Sequence, residues 1–351
     1  VFVADIDNDG DMDIVSASYN DDAIAWYEND GAADPSWSAA DIATSADGAL
    51  YVFVADMDND GDMDIVSASQ EDDAIAWYEN DGAADPSFTA ADINTGADGA
   101  AFVFAADLDN DGDMDILSVS VNDDALSWYE NNGAADPTWT AADIATDTAD
   151  PTSVFAADMD SDGDLDILIS SKGGGGNSTV SLFKNDGAAD PSWSQVSIAT
   201  NAGADFATDV FAADMDNDGD MDILSVCQND KTLAWYENDG ASNPSWSNAQ
   251  DIDNNLGSLK SVFAVDIDND GDMDIIVTDQ ANYDGRTVLF INNGESDPTW
   301  SSKNIGDSGA GFNGIRSAKA ADIDNDGDID VLTISHYTGK IHMHKNTMEK
   351  G

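Results

Sequence analysis

Positive charge is what this sequence most lacks: 351 residues carry 11 Lys+Arg against 72 Asp+Glu, a formal net charge of -61. The first 171 residues hold 42 Asp+Glu and no Lys or Arg, so all 11 basic residues lie in the remaining 180. Sequence-independent binding to nucleic acid needs Lys and Arg to displace counterions from phosphate, so that partner class is excluded. Docking on an anionic membrane surface is disfavoured for the same reason. Salt screens the self-repulsion of such a surface, which fits a saline setting. A single cysteine, Cys227, rules out an internal disulfide. No run of about 18 apolar residues exists to span a bilayer. The only histidines are His336, His342 and His344; the alternating His342 and His344 could ligate a transition metal, but no third ligand is evident in the sequence. Serine-nucleophile motifs, phosphate loops and dinucleotide fingerprints are all missing. The chain opens at Val1 with neither Met nor a signal peptide, and is expected to be a mature chain or a piece of a larger protein.

What is present is a repeat. Hydrophobic residues make up 42%, enough for a large core despite the charge. The pattern Asp-x-Asp-x-Asp-Gly-Asp-x-Asp begins at Asp5, Asp56, Asp107, Asp158, Asp214, Asp266 and Asp322, with spacings of 51, 51, 51, 56, 52 and 56 residues. A fixed period near 50 marks a solenoid or a propeller. Cutting ahead of each motif gives units 1–51, 52–102, 103–153, 154–209, 210–261, 262–317 and 318–351. Each reads as four short strands, as in Val52–Ala55 (A), Ile65–Ser69 (B), Ala74–Glu79 (C) and Phe88–Ile93 (D), separated by Gly, Asn, Asp and Pro clusters. No helical periodicity is sustained. The expected fold is all-β: a seven-bladed β-propeller with four antiparallel strands per blade, whose last blade stops without its outer strand.

The acidic loops carry the chemistry. They place Asp5, Asp7, Asp9, Asp11 and Asp13 in the first unit, and Asp56, Asp58, Asp60, Asp62 and Asp64 in the second. The third and fourth have Asp107, Asp109, Asp111, Asp113 and Asp115, then Asp158, Asp160, Asp162, Asp164 and Asp166. The fifth and sixth have Asp214, Asp216, Asp218, Asp220 and Asp222, then Asp266, Asp268, Asp270, Asp272 and Asp274. Asp322, Asp324, Asp326, Asp328 and Asp330 complete the set. Two carboxylates about 4 Å apart repel by about 4 kcal/mol at an effective dielectric of 20, so such loops call for a cation. The first seven positions follow the start of an EF-hand loop. The twelfth does not: Ser16, Ser67, Ser118, Ile169, Ser225, Val277 and Thr333 stand where a Glu belongs, and position 9 is Asp throughout. All-oxygen ligation selects a hard ion, and Ca²⁺ suits about five protein ligands better than Mg²⁺, which keeps its waters. One Ca²⁺ per blade, up to seven, is expected.

This repeat, with its preceding apolar strand, resembles the FG-GAP/VCBS propellers, which include the integrin alpha-chain head and a calcium-containing seven-bladed fungal lectin. The resemblance covers essentially the whole chain. It implies Ca²⁺ held by the side chains at motif positions 1, 3, 5 and 9 and the carbonyl at position 7. In the first loop these are Asp5, Asp7, Asp9, Asp13 and the carbonyl of Asp11. The Phe-Gly and Gly-Ala-Pro signatures are not intact: Val-Phe-Val-Ala-Asp precedes the loop, and Gly-Ala-Ala-Asp-Pro joins strands C and D. The chain is therefore nearer bacterial VCBS-type repeats than integrins.

Two aromatic sets recur. Trp26, Trp77, Trp128 and Trp235 lie in strand C, and Trp37, Phe88, Trp139, Trp193, Trp246 and Trp300 near the start of strand D. Their fixed place in each blade points to packing between blades rather than to sugar platforms. The A-B and C-D loops scarcely change between units, whereas the B-C and D-A loops vary, mostly in blades four to seven. Loops on a rigid scaffold commonly carry function. A ligand face is expected there, with Tyr283, Arg286, Phe312, Arg316, His336 and Tyr337 as candidates. The expected function is an extracellular, secreted or cell-surface module that binds a glycan or a protein. It would work within a larger parent chain, with self-assembly open to it. The alternatives are an assembly module and a polysaccharide-active enzyme such as a lyase.

Overall fold

A computed structural model describes residues 1–173, 178–200, 204–280, 285–306, 314–336 and 338–346. Among them are 27 β-strands and no helix. Six four-stranded sheets and one three-stranded sheet follow in chain order, each an antiparallel meander, and the fold is a seven-bladed β-propeller. The last blade has Ile315–Ala321, Asp330–Ser335 and Lys340–His344, and no fourth strand among the described residues.

Blade two shows why these residues take these places. Its strands are Ala49–Ala55, Asp64–Ser69, Ala74–Asn80 and Phe88–Asn94. Strand B is covered on both faces, and all six of its residues are buried. Small Ser and Ala beside Ile and Val permit that close packing. Strand D carries the polar sequence and is largely exposed. Strand A buries Val52 and Val54 and leaves Tyr51 and Phe53 half-buried on its other face. It starts three residues ahead of the sequence-based unit boundary at 52, because a bulge between Ala49 and Tyr51 interrupts the alternation. The same irregularity lies between Ala207 and Asp209, Leu259 and Ser261, and Ile315 and Ser317. The repeat boundaries therefore fall inside strand A rather than between sheets.

Two compact units divide the chain. The first is Val1–Val154 with Ala189–Pro191 and Asp322–Gly327. In it, Ile24 and Trp26 of blade one pack against Val52, Ile65 and Tyr78 of blade two. Val66 and Trp77 pack in turn against Val103, Ile116 and Tyr129 of blade three, and Trp77 meets Trp139 edge-on at 6.4 Å. The second unit is Phe155–Ala188, Ser192–Ala321 and Asp328–Gly351. There Trp235 meets Trp300 edge-on at 5.6 Å, amid Leu224, Val262 and Ile275. These tryptophans are mortar between blades, as their periodic placement implies.

Strand A carries a further row. In the first unit Phe2, Phe53 and Phe104 succeed one another with ring centroids 4.8 Å apart. In the second, Phe155, Phe211 and Phe263 do so at 4.6 and 5.1 Å. Lys319 stands at the same strand position in the last blade, its Nζ 5.3 Å from the Phe263 ring centroid.

Candidate metal centres

Each acidic loop joins strands A and B and folds around its own carboxylates. In the first, Asp9 N donates to Asp5 Oδ1 at 3.1 Å and to Asp7 Oδ1 at 3.2 Å. Gly10 N donates to Asp5 Oδ2 at 3.0 Å, and Asp11 N to Asp9 Oδ1 at 2.9 Å. Loops two, three and five repeat all these bonds. The turn passes through left-handed backbone at Asn8 (φ 59) and Gly10 (φ 98). Nothing lies within 4 Å of a Cβ placed on Gly10, so the glycine answers a backbone angle rather than crowding.

The loop geometry gathers oxygens. Ligand atoms of Asp5, Asp7 and Asp13 lie within 4.8 Å of one another, as do those of Asp56, Asp58 and Asp64. In the next three loops the converging groups are Asp107, Asp109 and Asp111; Asp158, Asp160 and Asp162; and Asp214, Asp216 and Asp218, with two more such groups among the described residues. Burial, then the charge at position 5, raises the carboxyl pKa at position 3, as at Asp7, Asp58, Asp109, Asp216 and Asp268. The Oδ1 atoms of Asp160 and Asp268 are buried with no hydrogen-bond partner. A buried carboxylate oxygen surrounded by other acceptors is costly without a cation. The donor set is hard oxygen and fits a divalent ion of the Mg²⁺ or Ca²⁺ kind.

Positions 7 and 9 face elsewhere as well. Asp11 Oδ1 accepts a hydrogen bond from Asn325 Nδ2 at 2.5 Å, and Asp62 and Asp113 accept from Asn8 and Asn59 at 2.8 Å. The position-7 carboxylate thus links its loop to the loop of the preceding repeat. It also presses on the C-D turn: a Cβ on Gly31 would lie 2.2 Å from Asp11 Oδ2. Asp13 is buried, accepting from Ile6 N at 3.2 Å and Asn29 N at 2.7 Å. Burial pushes its carboxyl up to about 6, and those of Asp64, Asp115, Asp166, Asp222 and Asp274 up to about 7.

Sequence reasoning missed two residue types here. Buried Asn29 ends strand C, and its Nδ2 donates to Met12 O at 3.0 Å and to Ile323 O at 2.9 Å. Asn80, Asn131, Asn238 and Asn292 make the equivalent pair of bonds, each reaching the acidic loop of its own blade and that of the preceding repeat. The sequence Asn-Asp-Gly reads as a turn and hides this clasp; only its strict recurrence could have exposed it. The second type is Glu28, Glu79 and Glu130 in strand C, with Glu237 just after it in blade five, whose charges help raise the nearby position-3 carboxyls. Blade four has Lys184 instead, its Nζ 2.6 Å from Asp160 Oδ2.

Of the six expected ligand-face residues, Tyr283, Phe312 and Tyr337 lie outside the described residues. Arg286 is committed to buried Asp279, Nε to Oδ2 at 2.8 Å. Arg316 is exposed, and His336 N donates to Gly314 O at 2.9 Å. His344 Nε2 lies 3.1 Å from Thr333 Oγ1, and burial, then His342, pulls its pKa down. Cys227 is buried and its thiol is pushed up to about 12 by that burial, which leaves it inert as a nucleophile.

Among solved structures, the fold is similar to that of BBS1N, crystallised in complex with ARL6DN and soaked with lead, at a TM-score of 0.61 and 10% identity over 100% of this chain and 93% of that one. A protein from Lactobacillus plantarum is similar at a TM-score of 0.60 and 11% identity, over 97% of each chain. Such identities speak to fold alone. No curated protein sequence matches. Among the described residues no helix is long and apolar enough to cross a membrane. The FG-GAP-like repeat matches residues 5–67, 56–118, 118–169 and 214–277, and propellers built from it serve as binding or structural modules, often within larger proteins. With well over half of its length matched, the chain belongs to the FG-GAP-like repeat family.

Proposed function

We propose that this chain is an extracellular calcium-binding propeller that acts as a binding or adhesion module for a glycan or protein ligand. The observation that supports the calcium reading is the buried, unpartnered Oδ1 of Asp268, in a loop whose other carboxylates only accept; Asp160 has such an oxygen too, although its second oxygen is met by Lys184. The side chains at positions 1, 3, 5 and 9 would hold the ion, with the carbonyl at position 7. The carboxylate at position 7 is engaged by the preceding loop, as Asp11 is by Asn325. Asp13 accepts one main-chain N–H at each oxygen, and with about four lone-pair sites on the carboxylate it has room left for a cation. Ca²⁺ suits the number of ligands better than Mg²⁺. Extracellular modules bind Ca²⁺ at about 10⁻⁴ to 10⁻³ M, a range that cytosolic calcium does not fill. That is the argument for an extracellular home. The ion acts by holding the A-B hairpins, and through them the sheets that present the variable B-C and D-A turns.

A glycan array probed in calcium and again in chelator tests the reading. Binding in calcium that is lost on chelation is the expected result. A folded, calcium-loaded chain that binds no glycan and no extracellular protein, but associates with itself, would replace it with an assembly role.

A further inference from the structure

Three cations and a histidine gather in the second unit, at the end of the sheets where strand B finishes and strand A begins. Lys172 follows Asp166–Ser171, and His336 follows Asp330–Ser335. Lys260 and Arg316 are the second residues of Leu259–Val265 and Ile315–Ala321, the inserted positions of two bulges. A bulge re-aims the side chain it carries. Lys260 Nζ donates to Gln228 Oε1 at 2.7 Å, and Gln228 N donates to Phe206 O at 2.9 Å. Lys172 Nζ lies 5.5 Å from the centroid of the Phe206 ring. These contacts form one continuous row. Burial, then the charges of Arg316 and Lys172, pushes Lys260 down to about 8. Burial, then Arg316 and Lys260, lowers His336. In a chain of net charge -61, these cations repel one another, and an anion seated among them would relieve that repulsion.

Phe206 is an independent observation. Its φ is 62, in the left-handed region. The same place, just ahead of strand A, is taken elsewhere by Gly48, Gly99 and Gly314 at φ 67, 72 and 74, and in blade four by the short polar Asp150 at φ 54. A bulky side chain there is strained, and strain of this kind collects at ligand sites. The half-buried ring carries the Lys172 ammonium over one face, 5.5 Å from its centroid. A sugar ring packed against the aromatic would bring an acidic substituent to that ammonium.

We propose that Phe206, Lys172, Lys260 and Arg316, with His336 at the margin, form a subsite for an acidic saccharide, a sugar bearing a carboxylate or a sulfate. This rests on the binding-module reading and names the ligand class for it. Arg286 stands apart, neutralised by Asp279.

Calorimetric titration of the calcium-loaded chain tests it. The probes are a uronic-acid oligosaccharide, a sulfated one, the neutral oligosaccharide of the same linkage, and inorganic sulfate. An acidic probe should bind at least about tenfold more tightly than the neutral one, and the double variant K172Q/R316Q should remove that preference. The stronger of the two acidic probes identifies the charged group. Phe206→Gly should weaken saccharide binding about tenfold or more while leaving the melting temperature equal or higher, because glycine accepts the left-handed backbone. A merely structural Phe206 would lower the melting temperature instead. Equal binding of neutral and acidic probes, unchanged in K172Q/R316Q, would overturn the acidic subsite and leave the binding module standing. Binding of inorganic sulfate alone would overturn it too. Binding of no saccharide at all would remove both the subsite and the glycan part of the module reading.

Discussion

Chelating calcium is expected to lower the melting temperature by roughly 10–20 °C. A site with a dissociation constant near 10⁻⁴ M contributes about 1.4 kcal/mol at about 1 mM calcium, so seven contribute about 10 kcal/mol, comparable to a domain's whole stability. Magnesium at the same concentration should restore little of the loss, since it dehydrates reluctantly. The chelated chain should also have a distinctive pH dependence. Asp13, Asp64, Asp115, Asp166, Asp222 and Asp274 are held at about 6 to 7 by burial, above the ordinary 3.8. Between these values the folded chain binds more protons than the unfolded one, so stability falls as pH rises. Repulsion within a chain of net charge -61 acts in the same direction. Without calcium the melting temperature should therefore be higher near pH 5 than near pH 8. With calcium the trend should reverse, because protons compete for the ligand oxygens. Melting curves at both pH values, with and without chelator, read this directly. A chelated chain that melts where the loaded chain does would contradict the calcium account.

Asn80→Ala should cost about 3–5 kcal/mol, a fall of roughly 4–8 °C in melting temperature. The side chain is buried and its Nδ2 satisfies Ile6 O at 2.9 Å and Met63 O at 3.1 Å, while its Oδ1 accepts from Gly82 N at 3.1 Å. Truncation strands both carbonyls and unfastens one acidic loop from the next. The exposed strand D residue Thr89 provides the reference, and Thr89→Ala should stay within about 0.5 kcal/mol of the parent. Denaturant titration of both variants measures the difference. Equal stabilities would show that the clasp holds nothing.

The blades were legible in the sequence because seven copies of one motif recur at a fixed spacing, and the strands alternate around them. The inter-blade role of Trp77 and Trp235 was legible for the same reason. Features set by tertiary contact were not. The strand A bulge at Leu50 breaks the alternation that would have located the strand start. Asn80 resembles an ordinary Asn-Asp-Gly turn until its partner, the Ile6 carbonyl of the preceding repeat, is seen. Lys172, Phe206 and Lys260 lie far apart in the sequence, and only folding places them in one row. Among the acidic loops the motif alone makes all seven look alike, whereas Lys184 beside Asp160 sets the fourth apart by placing a cation of its own in the site.

Counting calcium is the most direct measurement. After equilibrium dialysis against about 1 mM calcium, metal per chain is read by atomic emission. The account predicts six or seven ions per folded chain, with loop four the weakest because Lys184 competes there, and one fewer in the double variant Asp56→Asn/Asp58→Asn. A folded chain carrying one ion or none would contradict it.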